Sequence, residues 1–335
     1  MTLKEIAKIA NVSPAAVSLV LNNKSGVGDA KRQEILTILK ENNYVPTKRS
    51  SQAVKNLIFL KYAKNGILVE ENAGFVSSII DSLETECRRQ GYHLGIVVSL
   101  QDLEGSLSSI DYSSVDGVFV LGTELDETAY PVLQKIPCPY VVIDNDMQTF
   151  PCNTVTMSNQ EMVHIAVTHL ASLGFTSIGY MHSKMYSQNF EERSYGFRQI
   201  VTKLGLFFQP EHEYLLEPTM LGSYTGMKQY LEANHKIPPC FFADNDVIAL
   251  GAIKALKEFN YKIPQDISII GFDDIRFSAI SSPSLSTMRV HKSRMGSAAV
   301  KLLHESLVNS ECHNVKIYIN GEIILRHSTM QPSVP

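Results

Sequence analysis

The chain has no tryptophan and only five cysteines in 335 residues. Cys87, Cys138, Cys152, Cys240 and Cys312 are odd in number and widely scattered, which argues for reduced, mostly buried thiols rather than a disulfide framework or a zinc site. No run of about 18 apolar residues is present, so no membrane span is expected. The start, Met1-Thr2-Leu3-Lys4-Glu5, lacks the apolar stretch of a secretory signal, and a cytoplasmic protein is expected. Enzyme signatures are missing as well. There is no G-x-x-x-x-G-K-[ST] run, no G-x-S-x-G elbow, and no HExxH or H-x-E…C-x-x-C arrangement among the ten histidines. His164 and His169 are five apart, a poor spacing for joint metal ligation on a helix. No catalytic residue, metal or cofactor is expected.

What is present is an uneven distribution of charge. Residues 1–56 carry nine Lys or Arg against four Asp or Glu, a net of +5; the whole chain is −4, so the remainder carries −9. A basic head on an acidic body is the outline of a protein whose head meets a polyanion. The length suits two or three compact units, and 44% hydrophobic with 19% charged residues is ordinary for a soluble globular protein.

The head, residues 1–46, reads as three helices. Thr2 and Glu5 form a capping-box pattern, and Leu3, Ile6, Ala7 and Ala10 make one apolar stripe. Asn11 tolerates the left-handed conformation that a tight turn needs. Ser13 then caps a second helix, with Pro14 at its first position and Val17, Val20 and Leu21 facing inward. A third helix is expected from about Asp29 to Asn42, with Ile35, Ile38 and Leu39 inward. Two short helices joined by a tight turn are the helix-turn-helix plan, whose second helix enters the DNA major groove. Its outer face carries Pro14, Ala15, Ser18, Leu19 and Asn22.

Residues 2–24, TLKEIAKIANVSPAAVSLVLNNK, resemble the head of the lactose-repressor (LacI/GalR) family, typically T-[IL]-x-[DE]-[VI]-A-x-x-A-x-V-S-x-x-T-V-S-R-V-L-N. The family usually has Thr where this chain has Ala16, and Arg where it has Leu19. Pro14 and Ala15 are short and apolar at the family's main base-reading positions. Leu19 lacks the donors for a bidentate guanine contact but can pack on thymine methyls, which leaves Ser18 and Asn22 as the polar contacts. Operator sequence therefore does not carry over from the family.

Residues 47–56 are polar and basic, and composition alone reads as a flexible linker. The resemblance implies a hinge helix that orders on DNA and wedges a Leu into the minor groove. Here Ala53 holds that position, with Val54 beside it. A methyl group is a poor wedge for prising apart a base step. The expectation is phosphate contact through Lys48, Arg49 and Lys55 without deep intercalation, unless a one-residue register shift brings in Val54.

In residues 57–335, short apolar runs alternate with helical patterns. Strands are expected at Leu57-Leu60, Leu94-Val98, Gly117-Leu121, Tyr140-Ile143, Ile178-Met181, Tyr214-Leu216, Phe241-Ala243 and Ile267-Ile270. Helices are expected near 75–90, 160–173, 190–204, 223–234, 246–259 and 292–308. This alternation implies parallel sheets with helices on both faces, and the strand number implies two sheets. Ligands in such folds bind at the carboxyl ends of strands, here between two lobes. Asp144, the group Asp244, Asn245 and Asp246, and the pair Asp273 and Asp274 all follow strands; Arg193 lies near a helix start. They supply the paired hydrogen bonds that hydroxyls need, although each acid alone also reads as a helix cap or turn residue.

The resemblance continues through VVIDND (141–146), RSYGF (193–197), ADNDVIALGAIKAL (243–256) and ISIIGFDD (267–274). Only the first body strand, Ile58-Phe59-Leu60-Lys61-Tyr62, departs clearly from the family's apolar pattern. The resemblance implies an all-α helix-turn-helix head on an α/β body of two lobes, like type I periplasmic binding proteins. It assigns effector contact to Asp144, Arg193, Asn245 and Asp273, and an aromatic ring for a sugar face to Phe75. By the same analogy the chain crosses between lobes near 157–160, 287–291 and 320–322. Lobe one would be about 57–157 and 291–320, and lobe two about 160–287 and 322–330.

The expected function is a homodimeric, sequence-specific transcriptional regulator, a repressor in the usual family outcome. Its operator affinity would be set by a small molecule, a sugar or sugar phosphate, between the lobes. The acids in the proposed pocket lean towards a neutral sugar. A purine corepressor, or a protein corepressor in place of a small molecule, also fits the sequence. A solute-binding protein would need a signal peptide and no basic head. A sugar-processing enzyme would need a convergent nucleophile or acid–base pair.

Overall fold

The computed structural model describes residues 3–21, 26–42, 54–309 and 313–331. The chain divides into two compact units, Met1–Ala53 and Val54–Pro335.

The first unit holds α1 (Leu3–Ile9), α2 (Pro14–Leu21) and α3 (Asp29–Glu41). Ile6, Ala7, Ala10, Val17, Val20, Ile35 and Leu39 form its buried core, with Leu21 and Ile38 packed partly against it. Asn11 takes the left-handed turn, φ 50°. Ser13 Oγ accepts the Ala16 N–H at 3.2 Å, satisfying one donor that the helix start leaves orphaned, and Pro14 begins α2. Thr2, the first residue of the expected capping box, lies outside the described residues.

The second unit begins with β1 (Asn56–Ala63), α4 (Ile67–Glu71), α5 (Ala73–Gln90), β2 (His93–Leu100), α6 (Leu103–Ser108), β3 (Gly117–Leu121), β4 (Tyr140–Ile143) and β5 (Asn153–Met157). It continues with α7 (Asn159–Ser172), β6 (Gly179–Ser183), α8 (Gln188–Leu204), β7 (Glu213–Leu216), α9 (Met220–Glu232), β8 (Cys240–Ala243), α10 (Asp246–Glu258), β9 (Ser268–Asp273), α11 (Arg276–Ile280) and β10 (Ser286–Arg289). It ends with α12 (Lys292–Val308), β11 (Lys316–Ile319) and β12 (Glu322–Ile324).

Two six-stranded sheets result, ordered β11-β5-β4-β3-β1-β2 and β12-β10-β9-β8-β6-β7. The first is parallel throughout; in the second, only β12 runs antiparallel, against β10. Central strands such as β3, β8 and β9 are buried along their whole length, as expected for parallel sheets covered on both faces. Helices α5 and α12 pack together over the first sheet, and α7 packs on α8 and α9 on α10 around the second. The chain leaves the first sheet after β5, returns after β10, and crosses again between β11 and β12.

Eight strands were expected from apolar runs, and all eight exist; four more, β5, β10, β11 and β12, were not anticipated. The reason is composition. Strand β5 (NTVTM) buries Asn153, Thr154 and Thr156 among its apolar residues, and β10 buries Ser286 and Thr287. Strands β11 and β12 are short sheet edges, half-buried or exposed, so neither shows a clear apolar run. Cys87, Cys152 and Cys240 are buried free thiols and Cys138 is half-buried; Cys312 lies outside the described residues.

Candidate functional site

In the head, Pro14 and Ala15 are exposed on α2, whereas Ser18 and Leu19 are half-buried. Leu19 lies against the turn at Gly26, whose φ of +117° favours glycine; a Cβ there would meet Leu19 Cδ1 at 3.3 Å. Leu19 thus packs beside Gly26. Asn22, Lys48, Arg49 and Ala53 lie outside the described residues. Val54, at the start of the second unit, is about half exposed. The neighbouring Lys55 sits 3.6 Å from the Asp116 carboxylate, so a phosphate would compete for it.

In the body, the carboxyl ends of both sheets face one cleft. Phe75, Asp144, Arg193, Asn245 and Asp273 all line it. Asp144 follows β4 in a left-handed conformation, φ 71°. Its carboxylate accepts the Thr123 hydroxyl at 2.5 Å and the Asn189 amide at 3.0 Å. Burial pushes the Asp144 carboxyl up to about 7, with the Asp273 charge adding to the effect and Thr123, Arg193 and Asn189 opposing it.

Asp273 ends β9 at φ 110°, a backbone geometry costing an Asp on the order of 1–3 kcal/mol. One carboxylate oxygen accepts the Asn72 amide at 3.0 Å and the other lies 3.6 Å from Arg193. Burial again raises this carboxyl, while Arg193, Lys292 and Asn72 pull it back. Arg193 itself is buried within α8. Its Nε donates to Asn159 at 2.9 Å, Nη1 donates to the Asp244 carbonyl, and the guanidinium stacks 3.7 Å over the Phe272 ring. A planar cation with fixed donors can be held this rigidly, where a lysine could not.

Asn245 caps α10: its Oδ1 accepts the Ile248 N–H at 2.9 Å. That leaves the Nδ2 amide to meet a ligand. Phe75 starts α5 and presents a buried apolar wall.

Several cleft residues went unnoticed in the sequence: Leu68, Asn72, Thr123, Ser187, Asn189 and Phe190. The strand-end rule that found Asp144 applies equally to Thr123 after β3. Asn189 stands one helical turn before Arg193, so their side chains share a face of α8.

The other strand-end acids are structural. Asp244 accepts from Tyr180, from His182 at 2.7 Å and from the Ser183 N–H at 2.8 Å. Asp246, expected as a cap, instead stands inside the cap and accepts the Ile275 N–H, Ser278 and Thr287 at 3.0, 2.6 and 2.6 Å. Asp274 is ion-paired to Arg289 at 2.7 Å and Arg326 at 2.6 Å.

Two side-chain bridges in the cleft run between the two sheets' layers. Asn189, from the second, bonds Asp144 of the first; Asn72, from the first, bonds Asp273 of the second. The walls close on about 30 Å³, room for roughly one or two waters. A larger ligand requires the lobes to part and these bridges to break.

Residues 2–47 match the family model described as bacterial regulatory proteins, lacI family, and residues 167–329 match a periplasmic binding protein-like domain. The chain is 31% identical over 341 residues to the HTH-type transcriptional repressor PurR of Haemophilus influenzae, covering 98% of both proteins. It is 29% identical over 335 residues to the protein of the same name from Mannheimia succiniciproducens, again at 98% of both. Among solved structures it resembles the Lac repressor dimer bound to operator and an anti-inducer, with a TM-score of 0.74, 21% identity, and 98% and 99% of the two chains covered. A transcriptional regulator CelR–cellobiose complex matches with a TM-score of 0.72 at 21% identity and the same coverage. These structures establish the fold, and the curated relatives establish the kinship. The chain belongs to the lacI family of bacterial regulatory proteins and is a DNA-binding transcriptional regulator.

Proposed function

We propose that this regulator is a repressor controlled by a sugar that binds in the cleft between the two sheets. The observation that carries this reading is that the cleft's ligand-ready groups, Asp144 and Asp273, are the same groups that tie the lobes together. A polyhydroxyl ligand would accept from Asn189, Asn72 and Asn245 and donate to the two carboxyls, with Phe75 and Phe190 against its apolar faces. Ligand binding and cross-lobe bonding then compete for the same atoms. A ligand shifts DNA affinity only through its different affinity for the two lobe arrangements, a coupling of typically ~1–3 kcal/mol.

The DNA side of the proposal places α2 in the major groove. Pro14 and Ala15 approach base edges, Leu19 packs on thymine methyls, and Ser18 and Asn22 supply polar contacts. Lys48 and Arg49 neutralise phosphates, and Ala53 or Val54 touches the minor groove. The active form is a homodimer on a near-palindromic site in the cytoplasm. Ile96, Val98 and Leu100 are exposed along the sheet-edge strand β2, as are Phe277 and Ile280 at α11, and such apolar surface suits subunit contact. Among the described residues, no helix is long and apolar enough to cross a membrane.

The test is calorimetric titration of the full chain with neutral sugars and, for comparison, purine bases. The proposal expects at least one sugar to bind, and Arg193→Ala and Asp273→Asn each to weaken it at least tenfold, about 1.4 kcal/mol. Full binding by both variants, or binding of purines alone, contradicts it.

A further inference from the structure

The loop after β4 belongs to the first lobe, and α8 to the second. The loop is built to reach across. Asp144, Met147 and Gln148 all take left-handed backbone, φ 71°, 57° and 43°. Asn145 pins them in place: its amide donates to the Gly122 and Leu125 carbonyls at 3.0 and 3.1 Å, and its Oδ1 accepts the Met147 N–H at 2.7 Å. So held, the loop presents Asp146 and Gln148 to α8. Gln148 Nε2 donates to Gln188 Oε1 at 2.6 Å. Beside that bridge, the Asp146 carboxyl lies within hydrogen-bonding reach of the Glu192 carboxyl.

Two ionised carboxylates only accept, so a bond between them needs a proton on one. Among the described residues, no Lys, Arg or His forms an ion pair with either group. On the first lobe, Lys316 of β11 donates to the Asp146 carbonyl at 2.5 Å and to the Gln148 carbonyl, and Tyr318 donates to Asp146 Oδ2 at 3.4 Å. Asp144, two residues earlier, is turned into the cleft. Tyr130, Cys152 and Tyr186 also feel the Asp146 charge, and burial keeps all three neutral. On the second lobe, Glu192 accepts the Asn159 amide at 2.6 Å. Its helix neighbour Arg193 is committed to Asn159 and the Asp244 carbonyl, and Glu191 is exposed. Burial, with the Asp146 carboxyl beside it, pushes Glu192 up to about 8.

We propose that Asp146 and Glu192 form a proton-operated latch between the lobes: sharing a proton they hold the cleft shut, and doubly ionised they repel and release it. Asn159 ties this latch to the cleft. Its amide donates to Glu192 and to Asn189 at 2.9 Å, and its Oδ1 accepts from Arg193. Parting the lobes exposes Glu192 to water and returns it to the ordinary carboxyl range near ~4.3. Between about 4.3 and 8 the closed form therefore keeps a proton that the open form gives up. The latch favours closure fully at the acid end of that window and is lost as pH rises through 8. It does not depend on the effector being a sugar.

The experiment is small-angle scattering of the ligand-free full chain across roughly pH 6 to 9.5, with circular dichroism on the same samples. The parent should expand with a midpoint near pH 8 while its helix content holds. Glu192→Gln, whose amide donates to Asp146 at any pH, should stay compact throughout. Asp146→Asn should do the same from the other lobe, and it carries the test if the first variant does not fold. A parent whose radius of gyration is constant across the range overturns the latch. So does an expansion that accompanies loss of helix, which is unfolding, or one that persists in either folded variant, which assigns it to another acid.

Discussion

Asn189 on α8 donates to the Asp144 carboxylate at 3.0 Å and to the Asp144 carbonyl at 3.1 Å. The two residues belong to different layers, so this pair is a strap across the ligand cleft. Asn189→Ala leaves a buried carboxyl one donor short, a cost of about 1–3 kcal/mol. The variant should unfold at lower temperature and, by small-angle scattering, show more open lobes. An unchanged scattering profile with unchanged stability would mean that the strap carries no weight.

Buried carboxyls in and around the cleft also give the body a characteristic pH response. Burial pushes Asp144 and Asp246 each up to about 7, and burial with the nearby Asp146 pushes Glu192 up to about 8. Each has a folded-state pKa above its unfolded value, so the folded chain holds more protons between them. Their stabilisation is complete below about pH 4, the unfolded carboxylate value, and is lost as pH rises through 7 to 8. Denaturant midpoints should fall from pH 5.5 to pH 8, and Asp144→Asn should make the decline shallower. A decline equally steep in the variant would show that Asp144 titrates normally.

Asn245 combines a cap with a proposed ligand contact, and two substitutions separate them. Asn245→Ala removes the cap on α10 and should cost about 1 kcal/mol. Asn245→Ser keeps a good capping oxygen and should unfold within a few tenths of a kcal/mol of the parent. Both should lose effector affinity, because both lack the amide donor. Retained affinity in the serine variant would make Asn245 a cap alone.

The head has a small core of its own, with Ile6 fully buried at its centre. Ile6→Ala should cost about 2–5 kcal/mol, enough to unfold so small a unit. Proteolysis should then remove the head and leave the body intact, with DNA binding lost and sugar binding kept. Simultaneous loss of both would show that the two units fold as one.

Much of this architecture is written in local sequence chemistry. The head is legible because Ser13, Pro14 and Asn11 each perform a job that few other residues do well. The central strands are legible because burial on both faces demands continuous apolar runs. The strands that escape notice carry Thr, Ser and Asn into the interior, or lie at sheet edges where burial places little demand on composition. In the cleft, acids and an arginine stand out because charge in a fold's interior is costly. Asn72, Thr123 and Asn189 do not, since short neutral polar residues occur at every turn; what makes them functional is the register that sets them opposite Asp144 and Asp273. Asp246 shows the converse: a charged residue at a strand end can be wholly occupied in bracing its own lobe.

What defines the regulator is a basic head that reads a specific DNA site under control of the body. Its most direct test is selection of the full-length protein on random-sequence duplex DNA at two salt concentrations, with and without the sugar identified by calorimetry. Enrichment of one two-fold symmetric site is expected, with affinity that falls steeply with salt and shifts when the sugar is present. Failure to enrich any sequence under all of these conditions, or an enriched site whose affinity ignores the sugar, would contradict it.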